Sequence, residues 1–429
     1  MILGEVCSLG GEACSPSDEG ERQSTVGQPS RFMARQPILN TRRELIGFEL
    51  LFRSSWENKF SGESDEASRK MMDHCLYVGI ESLVGGGLAF VNCTREALVD
   101  RLVTLLPPQT TVLEILETIE PDAEVLEACR DLRAQGYRIA LDDFLPRPGM
   151  QPLIEIASYI KVDLRLSDAA MRREIHEMTR NSSAALLAEK VEDQEEFDVA
   201  RGEGYQYFQG YFFCRPKIVA NREIPPNRMN YLRLLVELTR TPLNTREVLR
   251  IVGLEASLCY RLLRLANSAL WGLREPVTSV RGAFLLVGEE RFRLLVSVAA
   301  SSVLGENKSP ALITLSLERA RFCELLAPFA GENPTEQFML GLLSLLDAML
   351  EIPMESIVKS LPLRTEAKAA LRGATNRASL PLRAIQSFES GTWEGSSPTV
   401  DLPNLSEETL TRLYLESVKW ASDSVTASQ

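Results

Sequence analysis

Short apolar runs alternate with helix-like stretches from residue 30 to about residue 214. Eight of the runs are rich in β-branched and aromatic residues, which is typical of strands. Their sequences are RFMARQPIL, ELIGFELLF, GLAFVN, TVLEIL, YRIALDDF, YIKVDL, ALLAEKV and YQYFQGYFF. Alternation of strands with helices predicts a parallel α/β fold. Seven or eight such units favour a TIM-type barrel over an open sheet.

The pattern changes after this region. Segment 217–230 contains several Pro and Asn residues and is interpreted as a linker after a barrel domain of residues 30–216. Beyond it, apolar residues recur at spacings of three and four, which predicts packed amphipathic helices. Residues 231–429 are therefore predicted to form an all-α domain, with Ser406 capping a late helix. The Ser-, Gly- and Glu-rich residues 1–29 are predicted to be disordered.

The composition is that of an ordinary globular protein with two domains. At 429 residues, the chain exceeds what one hydrophobic core usually supports. A net charge of −12 argues against a general nucleic-acid binder. The eight cysteines form no CxxC pair, so neither a disulfide framework nor a zinc site is expected. No run approaches the roughly 18 apolar residues that span a bilayer, and no signal peptide is evident, which predicts a cytoplasmic location.

Six of the predicted strands end on polar, mostly acidic residues. In a parallel barrel, side chains at the strand C-termini converge on one rim. The residues predicted to meet there are Glu49, Asn92, Glu114, Asp142, Asp143, Asp163 and Glu189. Crowded carboxylates raise one another's pKa, and hard cations such as Mg²⁺ or Mn²⁺ remove that penalty.

Two further features of this rim bear on chemistry. The adjacent acids Asp142 and Asp143 suit a bridging role between two metals, as used for phosphoester displacement. Lys161 faces the same side of its strand as Asp163 and is placed to orient a water or neutralise a phosphate. A single acid at a strand end is more often a helix cap or a solvated loop residue. The pattern alone therefore leaves both a metal site and a solubility device open.

These motifs resemble the EAL domain of cyclic-di-GMP phosphodiesterases over about residues 31–216. RQPILNTRRELIGFELLFR is similar to the opening motif of that family. FVN, LEILE, ALDDF, IKVD, AEKVE and FQGYFFCRP follow in the family's order. The resemblance implies a two-metal site, holding Mg²⁺ or Mn²⁺, that acts on cyclic di-GMP.

The resemblance also implies roles for individual positions. The first metal would be held by Glu49, Asn92, Glu114 and Asp142, and the second by Asp142, Asp143 and Glu189. The catalytic residues would be Asp143, Lys161, which would position the attacking water, and Glu189, the proposed general base. The dinucleotide would be contacted by Gln36, Leu51, Arg53 and Gln209. Glu117 would anchor the loop that follows Asp143, and Glu192 would brace the site.

Three departures from the family pattern concern turnover. Leu50 stands where alanine is usual, which is a packing change. LPRPGM, residues 145–150, replaces a Gly-rich loop, and its two prolines remove the mobility that substrate closure needs. Lys190 replaces a glycine, and strand alternation predicts that its side chain points away from Glu189, toward the helix layer. The segment between the second and third strands is also shorter than in active members, which predicts a trimmed barrel.

The all-α half resembles the HDOD domain, a relative of HD-type metal phosphohydrolases. LCYRLLRLANSALWGLREPVTSVRGAFLLVG is similar to the core of that domain. The chain has two histidines, His74 and His176, both outside this half, so no His-rich metal centre is expected there. Exposed apolar helix faces in such modules imply a protein partner. The surplus of arginine in residues 221–300 is interpreted as a solvated face rather than a nucleic-acid surface.

The sequence thus predicts an EAL–HDOD signalling protein. Its divergent barrel would bind metal and cyclic di-GMP with weak or absent hydrolysis, and its helical half would respond to occupancy of the barrel. Two alternatives stay open. One is an active phosphodiesterase that produces linear pGpG, and the other is a scaffold that binds no nucleotide. A homodimer is left open, and no membrane partner is expected.

Overall fold

The computed structural model describes residues 32–53, 80, 84–214, 226–240, 242–269, 276–304, 308–361, 363–390, 402 and 405–428. The predicted disordered segment 1–29 and His74 lie outside these residues. Eight strands close into a barrel in chain order, so the predicted barrel is confirmed. The strands are β1 (Phe32–Asn40), β2 (Leu45–Arg53), β3 (Leu88–Cys93), β4 (Thr111–Ile115), β5 (Arg138–Leu141), β6 (Tyr159–Asp163), β7 (Ala185–Glu189) and β8 (Tyr207–Gln209). The short segment between β2 and β3, which predicted a trimmed barrel, therefore does not reduce the number of strands below eight.

The first strand runs against both of its neighbours, β2 and β8. The remaining neighbouring pairs are parallel, so the predicted parallel arrangement is wrong at this one strand. The cause is a tight turn between β1 and β2. Asn40 Oδ1 accepts hydrogen bonds from the amides of Arg42 and Glu44, each at 2.9 Å, and Arg43 has a φ of 61°. A connection this short can join only antiparallel strands.

Helices follow most of the parallel strands and cover the outside of the barrel. They are α1 (Arg95–Val99), α2 (Ala123–Ala134), α3 (Gln151–Ile156), α4 (Ala169–Thr179) and α5 (Gln194–Glu203), with a 3₁₀ turn at Leu102–Leu105. Acids in the preceding loops cap three of them. Asp122, Asp168 and Asp193 accept hydrogen bonds from first-turn amides of α2, α4 and α5, respectively.

The second half is helical throughout its described residues. Its helices are α6 (Pro226–Leu238), α7 (Thr245–Gly253), α8 (Ala256–Ala266), α9 (Val280–Leu304), α10 (Pro310–Ala330), α11 (Pro334–Leu343), α12 (Leu346–Leu350), α13 (Met354–Ser360), α14 (Thr365–Leu371), α15 (Leu380–Ser390) and α16 (Glu407–Ser428). Because α6 begins at Pro226, residues 226–230 belong to a helix and not to the predicted linker. The predicted cap of α16 is present, with Ser406 Oγ accepting from the Thr409 amide at 3.2 Å. Among the described residues, no helix is long and apolar enough to cross a membrane.

The two halves pack directly on each other through β1. Ala34 lies in a cluster with apolar side chains of α10, α15 and α16, and Leu51 of β2 packs against the same cluster. We call this group the helical cluster; it contains Phe322, Leu326, Ile385, Phe388, Leu410 and Tyr414. The strand that opens the barrel thus also contacts the helical domain.

Candidate active site

The barrel interior contains an apolar layer with a polar layer above it. Six side chains from six strands form the apolar layer: Ile38, Phe90, Val112, Ala140, Tyr159 and Leu187. Side chains of a strand alternate between its two faces, so the next inward position lies two residues away. Two residues further toward the C-terminal ends of the parallel strands, and toward the N-terminal end of β1, the inward positions are polar. They are Gln36, Glu49, Asn92, Glu114, Asp142, Lys161, Glu189 and Gln209, of which Glu49 lies on β2 and Gln209 on β8. We call these eight residues the polar layer.

Lys161 lies at the centre of the polar layer, with its side chain 1% exposed. Its Nζ lies 2.6 Å from Asp142 Oδ1, 2.7 Å from Glu114 Oε1 and 3.0 Å from Glu189 Oε1. It also lies 3.3 Å from Glu49 Oε2. One buried ammonium therefore faces four carboxyl groups, so the cluster holds more acid than its own lysine can neutralise.

The amides of the polar layer hold one of these acids in place. Gln209 Nε2 donates to Gln36 Oε1 at 2.7 Å and to Glu49 Oε2 at 2.6 Å. Asn92 Nδ2 donates to Glu49 Oε1 at 3.4 Å. Both oxygens of Glu49 are thus engaged from opposite sides, by β8 and by β3.

The donor set fits a hard divalent cation. Oxygens of Glu49, Glu114 and Asp142 lie within 4.8 Å of one another. Asn92 Oδ1, Glu114 Oε2 and Gln209 Oε1 are buried, and no hydrogen-bond donor of the described residues reaches them. Buried acceptor oxygens without a donor are costly, and a cation coordinated by oxygen removes that cost.

Burial changes the protonation of the cluster. It raises the pKa of Glu114 well above the usual range, with Lys161 opposing this effect and the neighbouring acids adding to it. It also raises the pKa of Glu189 to about 8. Burial lowers the pKa of Lys161, but the surrounding carboxylates outweigh this and raise it well above its usual value. At neutral pH, the metal-free site therefore keeps the proton of Glu189. The pKa shift of Glu114 favours its protonated form, and that of Lys161 favours its charged form.

We expect the affinity for Mn²⁺ to rise from about pH 6 to about pH 9, because a carboxyl group must lose its proton before it binds a metal. The pKa of Glu189, about 8, places its proton loss within this range, and the raised pKa of Glu114 acts in the same direction. Calorimetric titration in two buffers of different ionisation enthalpy would measure both the affinity and the protons released. Binding without proton release at about pH 7 would contradict this expectation.

Two predicted rim acids lie beyond the polar layer. Asp143 has a φ of 38°, so the alternation of β5 does not extend to it, and burial and Asp142 raise its pKa. Asp163 lies above Lys161 on β6 and accepts a hydrogen bond from the Arg165 amide at 2.7 Å. Asp163 also accepts from Lys190 Nζ, so its carboxylate is already engaged.

The prediction that Lys190 points toward the helix layer is wrong. Lys190 follows the last residue of β7 and has a φ of 56°, so strand alternation does not apply to it. Its ammonium contacts Asp163 on the neighbouring strand end. Its side chain is 56% exposed, which places a cation at the site end of the barrel.

The loop after Asp143 is held, but not by the residue that the resemblance implied. Glu117 is exposed and makes no hydrogen bond or ion pair with another described residue, so its anchoring role does not appear in this structure. Arg147 instead donates to the Ile119 carbonyl at 3.1 Å and contacts Glu120 Oε1 at 3.3 Å. Sequence reasoning missed Arg147, although an arginine between the two prolines was the available signal.

The remaining predicted residues lie around the polar layer. Glu192 contacts Arg165 at 3.3 Å and so braces the segment after β6. Leu51 is partly buried and packs against the helical cluster. Arg53 ends β2, and its side chain lies outside the described residues. His176 stacks edge-on against Tyr205 with ring centroids 5.4 Å apart.

Comparison with known proteins places this site in a family. The EAL domain family matches residues 92–216, and the HDOD domain family matches residues 224–372. The cyclic di-GMP phosphodiesterase CdgJ of Vibrio cholerae is 32% identical over 399 residues, which covers 91% of this chain and 92% of CdgJ. The chain belongs to the EAL–HDOD family. The EAL match begins at Asn92, and the closed barrel extends the EAL domain back over β1 and β2.

Other known proteins are also similar to this EAL–HDOD chain. The uncharacterized protein YuxH of Bacillus subtilis is 34% identical over 401 residues, which covers 91% of this chain and 97% of YuxH. Among solved structures, a c-di-GMP complex of the PaMucR phosphodiesterase is similar, with 22% identity and a TM-score of 0.37. It covers 47% of this chain, and the match spans 94% of that structure.

Proposed function

We propose that the EAL domain binds cyclic di-GMP together with Mg²⁺ or Mn²⁺ and hydrolyses it weakly or not at all, as part of a cyclic-di-GMP signalling protein. The observation that carries this proposal is the polar layer itself. Four carboxyl groups, three side-chain amides and one lysine, drawn from eight strands, meet in one buried volume. A solubility device would need neither burial nor convergence.

In this proposal, the metals are held by Glu49, Asn92, Glu114, Asp142, Asp143 and Glu189. Bound divalent ions would neutralise the phosphate charge and lower the pKa of water. Lys161 would orient the attacking water, and Glu189 would accept its proton. The water oxygen forms a bond to phosphorus as the bond to the ribose 3′ oxygen breaks, and that oxygen takes up a proton. The product is the linear dinucleotide pGpG.

Recognition of the nucleotide is proposed to involve Gln36, Leu51, Arg53 and Gln209. Gln209 Oε1 is buried without a donor from the described residues, so it can accept a hydrogen bond from a ligand amine or hydroxyl group. Gln36 lies beside it on β1. An arginine at the end of β2 suits a phosphate, because its guanidinium donates two parallel hydrogen bonds.

Two features support slow turnover. The loop that follows Asp143 is tied down by Arg147, whereas closure over a substrate requires a mobile loop. Lys190 adds a cation beside Asp163, and its charge opposes the rise in the pKa of Asp143 that burial and Asp142 cause. This charge competes with a divalent ion for the outer acids of the site.

The second candidate is a phosphodiesterase of ordinary rate. It is favoured by the assembly of both Lys161 and Glu189 with the metal-binding acids, at 3.0 Å from each other. It is also favoured by the relative CdgJ, whose name is that of a cyclic di-GMP phosphodiesterase. A purely structural scaffold would need neither the buried charge nor the open acceptor oxygens.

We expect Glu49→Ala to reduce nucleotide hydrolysis by at least about a hundredfold, because it removes a proposed metal ligand. The assay follows linear pGpG formation by the purified full chain with Mg²⁺ and with Mn²⁺. Glu127→Ala is a matched control, since this exposed acid lies on helix α2, outside the site. A slow or undetectable wild-type rate would favour the first candidate, and steady formation of pGpG would favour the second.

If the wild type binds neither Mn²⁺ nor cyclic di-GMP in calorimetry, both candidates are excluded and the structural scaffold is the alternative that stays. Unchanged activity in Glu49→Ala would contradict the proposed site.

The HDOD domain is proposed to bind a protein partner. Its exposed large apolar residues include Leu254, Tyr260, Leu285 and Leu286, each at least 58% exposed. A homodimer and the cytoplasmic location stay predictions.

A further inference from the structure

Two neighbouring residues of β1 make different kinds of contact. Gln36 faces the barrel interior, where it accepts a hydrogen bond from Gln209. The neighbouring residue Arg35 faces the other way, as alternation requires, and contacts Glu318 of the HDOD helix α10. Arg35 and Glu318 are 283 residues apart in the chain. One strand therefore carries a site residue and a contact with the other domain at adjacent positions.

The contact between Arg35 and Glu318 is a buried ion pair. Their side chains are 3% and 5% exposed. The Arg35 guanidinium also lies 4.1 Å from the centroid of the Phe48 ring on β2. Burial raises the pKa of Glu318 to about 7, even with Arg35 opposing this shift. A pair so strongly desolvated adds little net stability, and apolar side chains would fill the space at least as well.

A continuous series of contacts leads from this pair to the metal-binding acids. In the β1–β2 ladder, Arg35 is opposite Leu50, and Gln36 is opposite Glu49. Gln209 joins Gln36 to Glu49 through hydrogen bonds of 2.7 Å and 2.6 Å. A shift of β1 at Arg35 would therefore displace Gln36 and loosen the support of Glu49.

We infer that Arg35 and Glu318 are positioning residues, through which α10 of the HDOD domain sets the place of Gln36 and Glu49 in the EAL site. This inference rests on the proposed function for its effect on ligand binding. Coupling between two sites is reciprocal, so a ligand that orders Gln36 and Glu49 also favours the α10 contact. The HDOD domain would thereby respond to occupancy of the barrel without touching the ligand.

The adjacent residue of α10 supplies a matched control. Arg319 is buried and pairs with Glu389 of α15 at 2.6 Å and 2.8 Å. Both partners belong to the helical half of the chain, and each side chain is 6% exposed. Glu318→Gln and Glu389→Gln make the same chemical change in two buried ion pairs whose α10 members, Glu318 and Arg319, are adjacent. Only the first pair reaches β1.

The test uses the full chain and both variants, at a temperature where circular dichroism shows each to be folded. We expect Glu318→Gln to weaken cyclic di-GMP binding by at least about fivefold, the lower end of ordinary coupling between sites. Glu389→Gln should change it by less than about twofold. Where the wild type turns over, KM should rise in Glu318→Gln because Gln36 is placed to hold the nucleotide, and kcat should fall as well because Glu49 is a proposed metal ligand. Both values should stay near those of the wild type in Glu389→Gln.

Amide hydrogen exchange provides a readout that does not depend on the proposed function. In Glu318→Gln, exchange should accelerate in β1 and β2 but not in β5 and β7, whereas Glu389→Gln should leave all four strands unchanged. Equal exchange in β1 of Glu318→Gln and the wild type would overturn the inference. If neither Mn²⁺ nor cyclic di-GMP binds the wild type, the proposed function fails, and the exchange result still decides the coupling.

Discussion

Glu114→Gln should stabilise the metal-free protein and remove its response to Mn²⁺. Burial raises the pKa of Glu114 well above its usual value of 4.5, so the folded chain holds a proton there that the unfolded chain releases. Where the unfolded state binds fewer protons, stability falls as pH rises. Glutamine has no such proton. The gain in the free energy of unfolding of Glu114→Gln over the wild type should be absent near about pH 4 and reach about 0.5–2 kcal/mol near about pH 8.

The metal response is measured on the same samples. Thermal unfolding with and without Mn²⁺ should show the wild type stabilised by about 2.7 kcal/mol at a hundredfold excess over Kd, and Glu114→Gln hardly at all. Glu389→Gln is the control, and it should lower the stability of the metal-free protein. Glu389 has its own arginine partner, and its loss leaves Arg319 without a carboxylate. A Glu114→Gln protein less stable than wild type at pH 8 would contradict this account of the cluster.

Period-two alternation was sufficient to predict most of the polar layer. Asn92, Glu114, Asp142 and Glu189 each end a short apolar run, and a barrel brings such ends together. The sequence could not separate Asp163 from them, because it lies on the same face of β6 as Lys161 but one layer higher. What distinguishes it is the contact with Lys190, which depends on the left-handed backbone at that residue.

Other features differed in whether the sequence carried a signal for them. The direction of β1 follows from the Asn40 turn, which could have been recognised from its short polar connection. The pair Arg35–Glu318 joins residues in different domains and has no signal in either segment. Arg147 holds the loop through a backbone carbonyl, and its place between two prolines was a signal that sequence reasoning did not use. Family motifs therefore predict the residues of the site more readily than the contacts that support them.

Lys161→Met should have the largest effect on the metal-free protein. Lys161 is the cation that the four buried carboxyl groups share, with contacts between 2.6 Å and 3.3 Å. Removing one side of a buried ion pair leaves uncompensated charge and costs about 3–5 kcal/mol. The loss should be measured by urea unfolding at about pH 8 and should shrink near about pH 5, where the carboxyl groups take up protons more readily.

Lys190→Met is the matched control for this variant. Lys190 also pairs with an acid at the site end of the barrel, but its side chain is 56% exposed, so its loss should cost less than about 1 kcal/mol. Mn²⁺ should restore much of the stability of Lys161→Met, because a divalent ion supplies the missing positive charge among the same oxygens. Hydrolysis should stay absent in the restored protein, since methionine cannot orient a water. If Lys161→Met were no less stable than Lys190→Met, the buried carboxyl groups would not depend on Lys161 for their charge balance.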